Sequence, residues 1–321
     1  MESATTTSRT VDSGQLEPAG VAPPVRAQSR SRERALSDTV RDYVALTKPR
    51  IISLLLVTTV ATMVAADPSG LALSAVLWTM LGGYLAAGGA GAINHYLDRE
   101  RDARMTRTQK RPLVAGRIEP IHGLIFGIVL GALATLQLAL TVNPLSALLA
   151  LTGLLGYVFV YTVWLKPLTP QNIVIGGAAG AVPPLVGWAA ATGELAPPAL
   201  WAFGLVFLWT PPHFWALSLL IKDDYARTGV PMLPVVKGEP ATRRQIVAYT
   251  GVLVAFSLLP VATGFLGAIY LVAAGALGLG FGLLAVRLLR SPSRQAALRL
   301  YLSSLAYLAL LFCAMAADRV I

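Results

Sequence analysis

One cysteine, three histidines and a charged fraction of only 13% are what this 321-residue chain offers to conventional polar chemistry. A single cysteine, Cys313, permits no intrachain disulfide, and no Cys/His group has the spacing of a zinc site. No Ser/His/Asp or Cys/His arrangement points to nucleophilic catalysis. The shortage of charge excludes an ordinary soluble globular domain, since 55% of the residues are hydrophobic and the mean hydropathy is +0.64.

What the chain has in quantity is long apolar runs. Runs that can cross a hydrocarbon core of about 30 Å fall at 51–66, 71–93, 120–141, 145–164, 172–192, 197–220, 246–264, 267–289 and 299–317. The expected fold class is therefore all-α, a polytopic membrane bundle of nine transmembrane helices. Its least distinct boundary is the Phe265–Leu266 turn between the seventh and eighth runs. With a cytoplasmic N-terminus, every Lys and Arg except Arg319 lies on the cytoplasmic side, and the C-terminus lies outside. The net charge of +10 then follows from topology and attraction to the inner leaflet, and implies no nucleic-acid partner. Residues 1–42, rich in Ser, Thr, Pro, Ala and Arg, read as a disordered cytoplasmic tail, and 43–321 as the transmembrane domain. Glu2, Asp12, Glu17 and Glu33 argue against a mitochondrial presequence in the tail, and alanine, glycine and arginine usage suggests a high-GC bacterium, so the expected location is the bacterial cell (inner) membrane.

Against this background the densest charge lies in Asn94–Leu113. On a helix, residues four apart stack on one face about 6 Å apart, so Asn94, Asp98 and Asp102 form a ladder of oxygen donors. Such oxygens suit Mg²⁺, which takes one or two carboxylates and completes its shell with water and phosphate. Arg101, Arg104, Arg107, Lys110 and Arg111 follow closely, as a diphosphate requires. A second charged loop, Lys222–Lys237, brings Asp223 and Asp224 as further acids and Lys222, Arg227 and Lys237 as phosphate contacts, although a solvated loop obeying the positive-inside rule accounts for such charges too. His95 and His213 are candidate haem contacts, with a packing role as the plainer reading, and His122 is interfacial. Tyr157 and Tyr161 fit an aromatic belt, while Lys166 can reach a diphosphate from its short loop.

These segments together resemble the UbiA-type intramembrane prenyltransferases, and within them the haem O synthase (protohaem IX farnesyltransferase) branch. The first aspartate-rich motif of that family matches Asn94-x-x-x-Asp98-x-x-x-Asp102, continuing to Arg111-Pro112-Leu113. The haem branch is matched by Leu46-Thr47-Lys48-Pro49-Arg50, by Tyr161-Thr162 through Lys166 to Asn172–Gly177, and by Pro212-His213-Phe214 through Asp224-Tyr225 to Pro234. The resemblance covers residues 43–317. Where the wider family has a second D-x-x-x-D, this chain has Arg227 four residues after Asp223 and Thr228 four after Asp224, which leaves a second metal ion open.

The resemblance implies a helical bundle around a cavity open sideways to lipid. It implies catalytic residues at Asn94, Asp98, Asp102, Asp223 and Asp224, with Mg²⁺ on Asn94, Asp98, Asp102 and Asp224. Diphosphate contacts would be Lys48, Arg101, Arg107, Arg111, Lys166, Lys222 and Arg227. The implied reaction is farnesyl transfer from farnesyl diphosphate to a vinyl group of haem b with addition of water. Implied partners are the bilayer and, by family, a haem A-forming enzyme and terminal oxidase assembly. The competing readings are the same chemistry on a quinone-precursor ring or a chlorin, and a transporter. Clustering of the acids at one membrane face rather than the midplane disfavours the transporter.

Overall fold

The computed structural model describes residues 25–321, with side chains from 36 onward. Residues 1–24 of the expected tail lie outside the described residues. Val25–Thr47, which runs from that segment to the first span, is a helix, α1. Among the described residues, nine helices are long and apolar enough to cross a membrane. They are α2 (Pro49–Ala66), α3 (Leu73–Leu97), α5 (Pro120–Thr141), α6 (Pro144–Leu168), α7 (Asn172–Thr192), α8 (Pro197–Leu220), α10 (Gly238–Ala262), α11 (Ala268–Arg290) and α12 (Arg294–Val320). The charged loops after α3 and α8 carry the short helices α4 (Arg99–Ala103) and α9 (Lys222–Arg227), the latter followed by a single helical turn at Leu233–Val236. The chain is a multi-pass membrane protein.

Local chemistry sets the helix boundaries. Proline opens α2, α5, α6 and α8, where its missing N–H needs no partner. Asn143 caps α6 by accepting from the Ser146 N–H (2.8 Å), and Ser293 caps α12 through the Ala296 N–H (3.0 Å). The turn between α10 and α11 is real and tight, with the N–H groups of Phe265 and Leu266 both donating to the Pro260 carbonyl.

Packing in the membrane relies on close backbone approach, because lipid tails give no hydrophobic drive between helices. The α3–α5 pair meets at facing glycines: a Cβ on Gly89 would stand 2.7 Å from the Gly127 carbonyl oxygen, and one on Gly127 2.9 Å from that of Gly89. At the α2–α7 crossing, a Cβ on Gly187 would lie 2.3 Å from the Thr59 carbonyl oxygen. Larger side chains fill the other half of the bundle, where Tyr270, Phe281, Leu300, Tyr307 and Phe312 of α11 and α12 pack against Leu205 and Trp209 of α8.

Both charged loops lie at one end of the bundle and are joined there. Met105 from the loop after α3 packs with Tyr225, Val230 and Met232 from the loop after α8 and with Ile173 of α7. Polar contacts tie the same two loops: the Thr106 N–H donates to Asp224 Oδ1 (3.3 Å) and the Arg227 guanidinium donates to Thr106 Oγ1 (2.9 Å).

Candidate active site

The acid ladder is built by a helix that barely breaks. α3 ends at Leu97, yet the Asp98 N–H still donates to the Asn94 carbonyl (2.9 Å) and the Asp102 N–H to that of Asp98 (2.8 Å). Four-residue spacing therefore holds through α4, as expected. All three side chains are buried, Asp98 at 1% exposure and Asn94 and Asp102 at 4%. Buried carboxylates without counter-charges are prohibitively costly, and here each has one. Asp98 accepts from Lys166 Nζ (2.5 Å) and from Arg101 (3.2 Å), and Asp102 accepts from Arg111 (2.5 Å). Burial alone would push the Asp98 carboxyl up. The Lys166 ammonium, the Asn94 amide and Lys48 outweigh that and hold it below the usual carboxylate range.

Lys48 enters from the junction of α1 and α2. Pro49 disfavours the right-handed helical conformation at the residue before it, and Lys48 adopts the left-handed one (φ 58°), the one non-glycine with positive φ among the described residues. The kink swings its ammonium to Asn94 Oδ1 (2.7 Å) and to 5.8 Å from the Tyr157 ring centroid. Burial, then the charges of Arg111 and Lys166, push that ammonium down to about 7.

Below this charged neck lies an apolar cavity of about 220 Å³ between α2, α3, α6 and α7. Ile52, Leu55, Ala86, Ala90, Leu154 and Val186 line it, with Lys48 and Tyr157 at the charged end. Along α2 the lining runs from Lys48 to Thr59, roughly 16 Å of helix rise. A chamber with hydrocarbon walls and a neck of paired acids and cations suits an amphiphile with an apolar tail and an anionic head.

The second loop contributes less than expected. Asp224 is buried and paired with Arg227 and the Thr106 N–H, so it belongs to the roof of the neck. Asp223, by contrast, is exposed, and Lys222 reaches Glu239 (2.7 Å) rather than the ladder, so both stand apart from the acid cluster. Arg107 is exposed on the loop surface. His213 is stacked between Trp209 (4.2 Å) and Tyr301 (5.0 Å), and its Nδ1 is 2.6 Å from Ser304 Oγ, an arrangement in keeping with the packing role. His95 is buried at 4% exposure beside the neck, with no hydrogen-bond partner for Nδ1.

Sequence reasoning missed the π-helical stretch Gly156–Leu165 within α6. Its wider turn brings Tyr157, Thr162 and Lys166 towards the neck, so Tyr157 serves the cavity rather than an interfacial belt, and Tyr161 stacks on it (5.3 Å). Gly176 on α7 leaves room for this stretch, since a Cβ there would stand 2.4 Å from the Tyr161 ring. Among the described residues no three His, Cys, Asp or Glu side chains form a metal cluster. Asn94, Asp98 and Asp102 nonetheless offer an amide oxygen and two carboxylates, hard donors of the kind Mg²⁺ takes while leaving the rest of its shell to water and phosphate.

Solved structures share this fold. The chain aligns with a UbiA homolog from Archaeoglobus fulgidus bound to DMAPP and Mg²⁺, with a TM-score of 0.64 and 16% identity over 85% of this chain and 99% of that one. In sequence it is 53% identical over 95% of its length to the protoheme IX farnesyltransferase of Roseiflexus sp. (strain RS-1), of which it spans 57%. It is 51% identical over 89% of its length to the protein of the same name from Gloeobacter violaceus, of which it spans 94%. The chain thus spans about half the length of the first of these relatives and nearly all of the second. Residues 55–312 match the UbiA prenyltransferase family, and the chain belongs to that family.

Proposed function

We propose that this protein is a farnesyltransferase acting on protohaem IX: it transfers the farnesyl group of farnesyl diphosphate to a vinyl group of haem b, with addition of water, to form haem O. The observation that carries the reading is the buried ladder of Asn94, Asp98 and Asp102, paired with Lys48, Lys166 and Arg111, at the charged end of an apolar cavity. Half-identical relatives named protoheme IX farnesyltransferase support the acceptor. The family neighbour bound to DMAPP and Mg²⁺ supports the donor class and the metal. Asn94, Asp98 and Asp102 would hold Mg²⁺, which when bound would neutralise diphosphate charge and favour its departure; Asp224, expected as a further ligand, is held in the roof by Arg227 and the Thr106 N–H.

The residues divide the work by charge and depth. Lys48, Lys166, Arg101 and Arg111 hold the diphosphate, and strengthen their hold as charge develops on it during cleavage of the allylic C–O bond. The apolar walls hold the farnesyl chain and exclude water from the allylic carbon until the vinyl group is in place. The vinyl π electrons form the new C–C bond, diphosphate leaves with the C–O electron pair, and water adds to the carbon next to the porphyrin, losing a proton to solvent or diphosphate. No basic side chain has to act as nucleophile. Arg227 and Asp224, joined to Thr106, roof the site. Lys222 and Asp223 are left out of the contact set. In this reading the site faces the cytoplasm of a bacterial cell, the N-terminus is cytoplasmic and the C-terminus outside. A haem A-forming enzyme and terminal oxidase assembly would receive the product.

Mass spectrometry of haems extracted from membranes given haem b, farnesyl diphosphate and Mg²⁺ tests this directly. A chelator-sensitive farnesylated haem is expected, and Asp98→Asn should abolish it in a protein that remains folded. Farnesylation of hydroxybenzoate in place of haem would overturn the acceptor, and unchanged turnover in Asp98→Asn would overturn the metal assignment.

A further inference from the structure

Two helices meet at the neck in matched register. On α3, Asn94 and Asp98 are four residues apart; on α6, Thr162 and Lys166 are too. Asn94 Nδ2 donates to Thr162 Oγ1 (3.2 Å), and Lys166 Nζ donates to Asp98 Oδ2 (2.5 Å). Thr162 is 1% exposed, and its hydroxyl donates to the Tyr157 carbonyl five residues back (2.8 Å), within the π-helical stretch.

That bond uses the only proton of the hydroxyl, so towards Asn94 it can only accept. Asn94 faces three partners of one-sided chemistry. Thr162 accepts, the Asp98 carboxylate accepts (2.8 Å from Nδ2), and the Lys48 ammonium donates to Oδ1 (2.7 Å). Together they fix which way the amide points, with nitrogen towards α6 and oxygen towards the cation side. Two of these partners belong to the binding site itself. Diphosphate and a divalent cation would offer Lys48 and Asp98 new partners and so weaken their hold on the amide. Thr162 does not touch the acid ladder except through Asn94, so its constraint persists.

We propose that Thr162 is a positioning residue for the metal site: it holds the Asn94 amide with Oδ1 presented to the cation, from a π-helical turn on the neighbouring helix. The proposal rests on the metal-dependent reading above. Partners that orient a ligand in this way are generally worth about 10–100-fold in metal affinity.

The test is Mn²⁺ binding to the full chain in detergent, followed by electron paramagnetic resonance, alongside turnover as a function of Mg²⁺. Thr162→Val, close in shape but lacking the hydroxyl, is expected to weaken Mn²⁺ binding about tenfold and raise the Mg²⁺ requirement, with kcat at saturating Mg²⁺ largely kept. Thr162→Ser should restore both. Wild-type affinity in Thr162→Val overturns the proposal, as does equal loss in Thr162→Ser, or a kcat loss that Mg²⁺ does not relieve. Asp98→Asn separates the two readings. If it abolishes Mn²⁺ binding while Thr162→Val does not change it, only the positioning role falls; if the wild type binds no Mn²⁺, or Asp98→Asn binds it equally well, both fall.

Discussion

Lys166 and Asp98 are the most buried ion pair at the neck, with side chains 12% and 2% exposed. Removing one partner of such a pair strands the charge of the other, at a cost of up to about 3–5 kcal/mol, less here because Arg101 remains 3.2 Å from Asp98. Lys166→Met should therefore lower the thermal midpoint in detergent as well as turnover. Adding Asp98→Asn to that variant removes the stranded charge, so stability should largely return while activity stays lost. Recovery of both would mean that the pair holds the fold and takes no part in the chemistry; recovery of neither would mean that the loss comes from packing of the lysine stem. Chemistry of this kind was legible in the sequence where residues carry formal charge at helical spacing. It was not legible for Thr162, a neutral side chain whose importance arises from a partner 68 positions away. Nor was it for Lys222, whose pairing with Glu239 depends on where α10 begins.

At the scale of helices, glycine and proline decide what can approach what. The α2–α7 crossing closes on Gly187, where a Cβ would meet the Thr59 carbonyl oxygen at 2.3 Å, the carbonyl carbon at 3.0 Å and Cα at 3.2 Å. All three are backbone atoms and none can swing aside, so Gly187→Ala must push the helices apart. Overpacking of this kind commonly costs about 1–3 kcal/mol. Both helices line the cavity, through Thr59 on one side and Val186 on the other. Gly187→Ala is thus expected to lower the melting temperature and also to raise KM for the prenyl donor, whereas Gly275→Ala, facing open space on α11, should leave both unchanged. Equal effects of the two substitutions would show that helix propensity, not the crossing, governs this region. The spans themselves were readable from apolar length alone, because a bilayer demands about 20 such residues. The π-helical stretch was not, since its cause lies in what Tyr157, Tyr161 and Thr162 meet on other helices rather than in its own composition.

Across the whole molecule, charge is distributed as the site requires. The loops after α3 and α8 meet at one end of the bundle, joined by Met105 with Tyr225 and by Thr106 with Asp224 and Arg227. The opposite end has Arg319, which donates to the Ala65 carbonyl and stacks on the Phe265 ring (4.8 Å). In the proposed reaction a soluble diphosphate would reach the neck from the compartment the charged end faces, which by the positive-inside rule is expected to be the cytoplasm. Single cysteines placed in a Cys313→Ser background test this. Ser69→Cys lies in the exposed turn between α2 and α3, and Gln109→Cys on the exposed surface of the charged loop. In intact cells an impermeant maleimide is expected to label the first and spare the second, with both labelled once the membrane is opened. The inverse pattern would place the acid ladder on the outer face, out of reach of a cytoplasmic diphosphate. It would remove the donor from the proposed reaction even if the fold and every contact at the neck were correct.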